Sequence, residues 1–149
     1  MSGEDHSGST GVTCMITPTH IVFANCGDSR AILAGPKGEC LAATVDHKPD
    51  NPVETNRILN AGGSVTMKRV NGDLAVSRAL GDFVYKQRRA DVGTGWYEPE
   101  GQQVSCVPEV TIIERDHAAH AFVVLCCDGI WDVMTNEQVA KLMITVRPE

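Results

Sequence analysis

The chain has 149 residues, of which 42% are hydrophobic and 21% are charged, and its formal net charge at pH 7 is −6. This composition is that of one globular domain with a sizeable core, and it excludes a disordered or fibrous chain. The acidic balance and the lack of Lys/Arg runs exclude a nucleic-acid-binding surface, and no apolar run is long enough to insert into a membrane. An acidic excess is compatible with cation binding.

The cysteines do not have the spacing of a disulfide framework. The chain has six of them and no Cys-x-x-Cys pair, and Cys126 and Cys127 are adjacent on a predicted strand, where they would point to opposite faces. No signal peptide is recognisable. We therefore expect a reduced, intracellular protein in the cytoplasm or the nucleus. We also expect the protein to be a monomer.

The first part of the chain is predicted to form an antiparallel meander. Apolar residues alternate from Val12 to Ile16, and apolar runs follow at 21–24, 31–34 and 41–45, with short turns between them.

A helix is predicted next, at 51–61. Asn51 can cap it, Pro52 suits its first position, and Glu54 has the spacing of a capping box. A short strand is predicted at 64–70, ending at an Asn-Gly turn signal.

The second half of the chain returns to sheet. Residues 74–80 suit either a helix or a strand, and 86–103 reads as a long surface loop that contains Trp96 and Tyr97. A strand is predicted at 109–114. Together these elements predict an α+β fold of antiparallel β-sheets flanked by helices.

A last helix is predicted to start at Thr135, with Gln138 completing a capping box. Its buried stripe is expected to comprise residues at i, i+3, i+4 and i+7: Val139, Leu142, Met143 and Val146.

The segment before that helix carries the strongest chemical signal. An uncharged apolar run begins at Phe122 and reads as a strand buried on both faces. It stops at Asp128, followed by Gly129, and Asp132 adds a second carboxylate. Because a buried carboxylate needs a cation or several donors beside it, this pattern predicts a metal ligand at a strand end. Asp128 and Asp132 would share one face only if the segment is helical.

Asp28 has a similar context, since it also follows an uncharged strand. Two strand-end carboxylates placed by one sheet could converge on a hard divalent cation such as Mg²⁺. Alternatively, Asp28 caps a turn through Ser29 and Arg30.

Other residues allow weaker hypotheses. His117 and His120 could suggest zinc, but their spacing gives no closed site and favours a surface turn. Five basic residues in or beside the central segment could receive an anionic substrate or form a solvated face: Arg57, Lys68, Arg69, Arg78 and Lys86.

Six short motifs occur in one order along nearly the whole chain, from about Ser7 to Val139. They are Ser7-Gly8-Ser9-Thr10, Asn25-Cys26-Gly27-Asp28-Ser29-Arg30, Asp46-His47-Lys48-Pro49, Arg57-Ile58-Leu59-Asn60-Ala61-Gly62-Gly63, Leu74-Ala75-Val76-Ser77-Arg78-Ala79-Leu80-Gly81-Asp82 and Cys127-Asp128-Gly129-Ile130-Trp131-Asp132-Val133. The ordered set resembles the protein phosphatase 2C family of metal-dependent serine/threonine phosphatases.

The resemblance implies an α-β-β-α sandwich with a dinuclear Mg²⁺ or Mn²⁺ site. Such a site would hydrolyse phosphoserine or phosphothreonine in phosphoprotein substrates by a metal-activated water. By motif, Asp128 would be a ligand of the dinuclear pair, and Asp28 and Asp132, with Asp128, would match a weaker third metal site. Residues from about 48 to 73 match the flap beside the catalytic cleft.

Several family motifs do not occur in this sequence. The early Asp-Gly-His motif, the phosphate-binding Arg and the late Asp-Asn motif are absent. We therefore expect residues 1–149 to be the central to C-terminal portion of one phosphatase domain, without its N-terminal and last C-terminal parts, and to be inactive alone. Two alternatives are a truncated, non-catalytic phosphatase-like module that binds a phosphoprotein or another partner, and a structural domain that binds magnesium or calcium.

Overall fold

The computed structural model describes residues 7–86 and 98–146. Strands and helices are interspersed, in agreement with the predicted α+β class. The strands are β1 (Gly8–Ser9), β2 (Gly11–Ile16), β3 (His20–Cys26), β4 (Arg30–Ala34), β5 (Cys40–Ala43), β6 (Val65–Thr66), β7 (Arg69–Val70), β8 (Leu80–Gly81), β9 (Glu109–Glu114) and β10 (Phe122–Cys126); the α-helices are α1 (Pro52–Asn60), α2 (Asp128–Trp131) and α3 (Asn136–Thr145).

The chain divides into two compact units. Of the described residues, 7–11, 47–86 and 98–108 form the first unit, and 12–46 and 109–146 form the second. No described helix is long and apolar enough to cross a membrane.

The second unit contains two three-stranded sheets, with strand orders β10-β4-β5 and β2-β3-β9. The central strand β4 is buried almost throughout, and its alternating side chains enter two different cores. Ile32 and Ala34 pack with Trp131 of α2 and with Val139 and Ala140 of α3. Ala31 and Leu33 of β4 pack instead against β3 of the other sheet. Within this unit, helices therefore cover one face of the β4 sheet, and the second sheet covers its other face.

The prediction that the 122–126 strand is buried on both faces is wrong. In the described sheet β10 lies at an edge and pairs with β4 alone. Its residues are half-buried, and Leu125 is exposed. The strand that is buried on both faces is β4, because helices cover one side of it and a second sheet covers the other.

The predicted stripe of the last helix is correct at Val139 and wrong at its other three positions. The Thr135–Gln138 capping box is present and confirms the predicted start of the helix. However, Val139 and Ala140 are the buried residues of α3, whereas three of the four predicted stripe residues are exposed: Leu142, Met143 and Val146. The sequence period identified an apolar face, but contact with β4 and β5 buries a narrower part of the helix.

The first unit is built around α1 and the β6–β7 hairpin. Asn51 caps α1 by accepting a hydrogen bond from the backbone N–H of Val53, which confirms the predicted start. Gly62 has a φ of 77°, which suits the predicted glycine ending. A small apolar core contains Ile58 and residues from the strands and loops. Residues 74–80, for which the sequence allowed two states, are mostly irregular before β8.

The predicted surface loop at 86–103 falls largely outside the described residues, including Trp96 and Tyr97. Its last part is a 3₁₀ turn at Pro99–Gly101, after which Gln102 and Gln103 are buried. The prediction of a surface loop is therefore wrong at the C-terminal end of the segment, where the side chains are buried.

Candidate metal centre

Strand register places Asp28 and Asp128 at the same end of a sheet. Arg30, the first residue of β4, pairs with Cys126, the last residue of β10. Asp28 lies just before Arg30 and Asp128 lies just after Cys126 in the chain. Because the two strands are antiparallel, both aspartates lie beyond the same sheet end.

The two aspartates differ in exposure. Asp28, in the turn between β3 and β4, is only 6% exposed. Asp128 is exposed, and among the described residues none donates a hydrogen bond to its carboxylate. The expectation that Asp128 is buried is therefore wrong, because it follows an edge strand. An exposed carboxylate of this kind is open to a ligand.

Asp128 and Asp132 lie on one helical turn. Asp128 is the first residue of α2, and Asp132 follows its last residue in helical geometry. The backbone N–H of Asp132 donates to the backbone oxygen of Asp128 at 2.8 Å. This meets the condition for a shared face that the sequence left open.

The three aspartates supply the oxygen ligands that divalent cations prefer, but they are too few to form a complete metal site. Carboxylate oxygens are the ligands that Mg²⁺ and Mn²⁺ prefer. Within residues 7–86 and 98–146, however, no group of three Asp, Glu, His or Cys side chains is arranged to hold a metal ion. A complete site would need further ligands from outside the described residues.

Sequence reasoning missed a buried ion cluster in the first unit. Glu54 is 1% exposed and accepts hydrogen bonds from Arg57 at 2.6 Å, Ser77 at 2.6 Å and Arg78 at 2.7 Å. Burial alone would raise the pKa of the Glu54 carboxyl, but the bonds from Arg78, Ser77 and Arg57 outweigh burial and lower the pKa to about 2.

This cluster changes the interpretation of three predicted residues. Glu54 does not complete a capping box, since its carboxylate binds the two arginines. Arg57 also donates to the backbone oxygens of Ser77 and Gln102, and both arginine side chains are largely buried. Arg57 and Arg78 therefore hold the first unit together and do not form a solvated face. The i, i+3 spacing of Glu54 and Arg57 was the available signal.

The remaining basic residues also have internal partners. Lys68 pairs with Asp50 at 3.0 Å, Arg69 donates to the backbone oxygen of Asp73, and Lys86 donates to two backbone carbonyls. None of these contacts by itself indicates a substrate site.

The two histidines considered for zinc lie in and beside a turn. His117 is exposed, and His120 Nδ1 accepts a hydrogen bond from the backbone N–H of Asp116. Asp116 also accepts hydrogen bonds from two backbone N–H groups of the same turn. These contacts favour the surface-turn interpretation.

The fold and the site define an α+β domain in which carboxylates collect at the end of an antiparallel sheet covered by helices. The family model described as Protein phosphatase 2C matches residues 1–148. The chain belongs to the protein phosphatase 2C family, and the family predicted from the ordered motifs is confirmed.

Curated relatives agree with this assignment. The chain is 56% identical over 142 residues to protein phosphatase 1B of Rattus norvegicus, with 95% of this chain and 34% of the relative covered. It is 54% identical over 141 residues to protein phosphatase 1A of Homo sapiens, with 95% and 35% covered. The chain thus spans about a third of the length of the curated relatives it matches.

Solved structures share the fold. A serine-threonine phosphatase 2C from Toxoplasma gondii matches with a TM-score of 0.71 and 28% identity, over 96% of this chain and 48% of that one. A C. elegans sex determining protein matches with a TM-score of 0.74 and 28% identity, over 93% and 31%. The predicted fold class is confirmed.

Proposed function

We propose that this chain forms the middle part of a metal-dependent protein serine/threonine phosphatase, in which Asp128, Asp28 and Asp132 bind Mg²⁺ or Mn²⁺. The observation that supports this most directly is the pairing of Arg30 with Cys126, which places Asp28 and Asp128 beyond one sheet end. Membership of the protein phosphatase 2C family supports the choice of reaction.

The roles of the three aspartates follow from their positions. Asp128, exposed at the start of α2, would be a ligand of the main metal pair, and Asp132 would lie beside it on the same helical turn. Asp28 would approach from the β3–β4 turn and contribute to a weaker third site. Bound metal would acidify a water and neutralise the charge of the phosphoryl group. The further ligands would come from outside residues 7–86 and 98–146.

The substrate in this proposal is a phosphoprotein, hydrolysed at phosphoserine or phosphothreonine. Residues from about 48 to 73, which include α1 and the β6–β7 hairpin, would form a flap beside the substrate. Met67 at the tip of that hairpin is 88% exposed, and such a side chain is available for contact with another protein.

Monomeric state and location belong to the same proposal. We infer an intracellular monomer, in the cytoplasm or the nucleus. The family membership and the six cysteines, all free thiols, support the location, because thiols persist in reducing compartments.

A chimera tests the proposal. Residues 7–146 of this chain would replace the aligned segment of rat protein phosphatase 1B, and hydrolysis of a phosphothreonine peptide would be measured with Mn²⁺. We expect turnover by the chimera and a loss of more than about 100-fold with Asp128→Asn, since loss of even an outer-sphere partner of a metal costs up to that much. The matched control is Asp116→Asn, because Asp116 is also an exposed aspartate and lies in a turn.

The outcomes separate the alternatives. Turnover that survives Asp128→Asn would remove Asp128 from the site. A chimera that folds, as judged by circular dichroism, and binds the phosphopeptide without hydrolysing it would support a non-catalytic binding module. Turnover by residues 1–149 alone would contradict the prediction that the isolated chain is incomplete.

A further inference from the structure

Trp131 joins the two strands that lead to the proposed metal ligands. Its side chain is buried within the helix-covered core of the second unit. The indole N–H donates to the backbone oxygen of Cys126 at 2.8 Å and to that of Arg30 at 3.1 Å. Cys126 and Arg30 are the paired residues at the sheet end. One side chain of α2 therefore contacts both strand ends at once.

Arg30 covers the same indole ring from outside the core. Its guanidinium carbon lies 5.1 Å from the ring centroid, a cation–π distance. Asp46 holds the guanidinium through two hydrogen bonds of 2.7 and 2.8 Å, and Asn136 accepts a third at 2.8 Å. A bidentate pair of this kind fixes the plane of the guanidinium. Arg30 thereby links the sheet end to Trp131 and to the first residue of α3.

The electrostatic environment of Arg30 includes Asp132. Asp46 and Asp132 both carry negative charges that act on the Arg30 guanidinium. The positive charge of Arg30 therefore acts on the proposed ligand turn as well as on Asp46.

The turn from Asp128 to Asp132 needs such anchors. It contains a helix of only four residues, and a helix this short is not stable without tertiary contacts. Trp131 lies between the two aspartates in the chain and is 7% exposed, whereas both aspartates are exposed. The buried indole is thus the point at which the exposed turn is attached to the sheet.

We propose that Arg30 and Trp131 are positioning residues that hold the Asp128–Asp132 turn at the sheet end that it shares with Asp28, in the position from which its carboxylates would contribute to binding a divalent cation. The proposal rests on the proposed function for the identity of the ligands. Groups that orient metal ligands without touching the metal typically change affinity by about 10- to 100-fold when they are lost.

Two variants of the chain test this. Trp131→Phe keeps an aromatic ring but removes the indole N–H, and Arg30→Lys keeps the positive charge but removes the fork that binds Asp46 and Asn136 together. The matched control is Ile21→Val, which removes one methylene from the other core of the second unit. All variants retain Asp28, Asp128 and Asp132.

Two measurements are made on each protein. Amide hydrogen exchange reports opening of the turn through the N–H groups of Asp132 and Met134, which bond within it. Mn²⁺ titration, followed by paramagnetic broadening of the Asp28 and Asp128 amide signals, reports binding even when it is weak. We expect faster exchange confined to the turn and at least about 10-fold weaker Mn²⁺ binding in Trp131→Phe, a smaller change in Arg30→Lys, and neither change in Ile21→Val.

The outcomes distinguish this inference from the proposed function. Unchanged exchange in the turn of Trp131→Phe, or Mn²⁺ affinity equal to that of the unaltered chain, would overturn the positioning role. Equal losses in Ile21→Val would overturn it too, since general destabilisation would then explain them. If the unaltered chain gives no Mn²⁺ broadening, the titration and its variants are repeated in the chimera with rat protein phosphatase 1B, which supplies the further ligands. Absence of broadening in that chimera would overturn the metal assignment, while the exchange result would still decide whether Trp131 and Arg30 hold the turn.

Discussion

Glu54 in the first unit and Asp128 in the second unit are carboxylates at the starts of helices, and their surroundings differ completely. Glu54 is 1% exposed and accepts hydrogen bonds from two arginines and a serine. Asp128 is exposed, and none of the described residues donates a hydrogen bond to its carboxylate. The charge of Glu54 is neutralised by arginines of the chain itself, whereas the charge of Asp128 has no such partner among the described residues.

The difference separates a structural carboxylate, such as Glu54, from a carboxylate that is available to a ligand, such as Asp128. A buried charge costs several kcal/mol unless donors surround it, and a carboxylate already saturated by arginines has no lone pair to offer a metal. The units also differ in how they are held together. The first unit depends on an ion cluster beside a small apolar core, and the second depends on apolar packing on both faces of β4.

Glu54→Gln should have the largest effect on stability. The fall of the Glu54 pKa from its ordinary value of 4.5 to about 2 corresponds to roughly 3 kcal/mol of unfolding free energy at neutral pH. The substitution would also leave Arg57 and Arg78 with buried, uncompensated charges. Urea unfolding would measure the loss, with Glu137→Gln on the exposed surface of α3 as control. Equal stability of the two variants would show that the cluster contributes nothing.

The Glu54 contribution should depend on pH in a defined window. Because the folded-state pKa lies below the unfolded value, the stabilisation is complete above pH 4.5 and is lost as the pH falls towards about 2. The difference in unfolding free energy between the unaltered chain and Glu54→Gln should therefore be constant from pH 7 to about 5 and shrink below that. A difference that grows on acidification would contradict the assignment.

Val139→Ala should destabilise the second unit by about 2 kcal/mol, because it leaves a cavity against Ile32 and Trp131. Leu142→Ala should cost less than about 1 kcal/mol, since Leu142 is 47% exposed. Thermal or urea unfolding of the two variants would measure both losses. The reverse order would mean that the helix buries the predicted stripe after all.

Asp132→Asn should have the smallest effect. Its side chain is exposed, so the unfolding free energy in the absence of metal should change by less than about 0.5 kcal/mol. Urea unfolding in the presence of a chelator would check this. A loss comparable to that of Glu54→Gln would indicate that Asp132 is a structural residue, and the contrast between the two units would no longer hold.

Local signals predicted much of the fold because they depend on neighbours in the chain. The caps at Asn51 and Thr135 and the strand at Glu109–Glu114 are where the sequence places them. The sequence also identified Asp28 and Asp128 as candidate ligands, since both follow uncharged strands, and their role as ligands stays a prediction. Burial was not readable, because an apolar run such as 122–126 can lie at a sheet edge as well as in its centre.

The sequence by itself determined the family, the fold class and which carboxylates are candidates for a cation, because motif order and periodicity are properties of the chain alone. Only the tertiary structure decided that Glu54 is satisfied by Arg57 and Arg78, since Arg78 is distant in sequence from Glu54 and meets it only after folding. The same holds for Trp131, whose indole N–H binds the ends of two paired strands. A contact between segments so far apart depends on how the strands pair, and no local pattern encodes it.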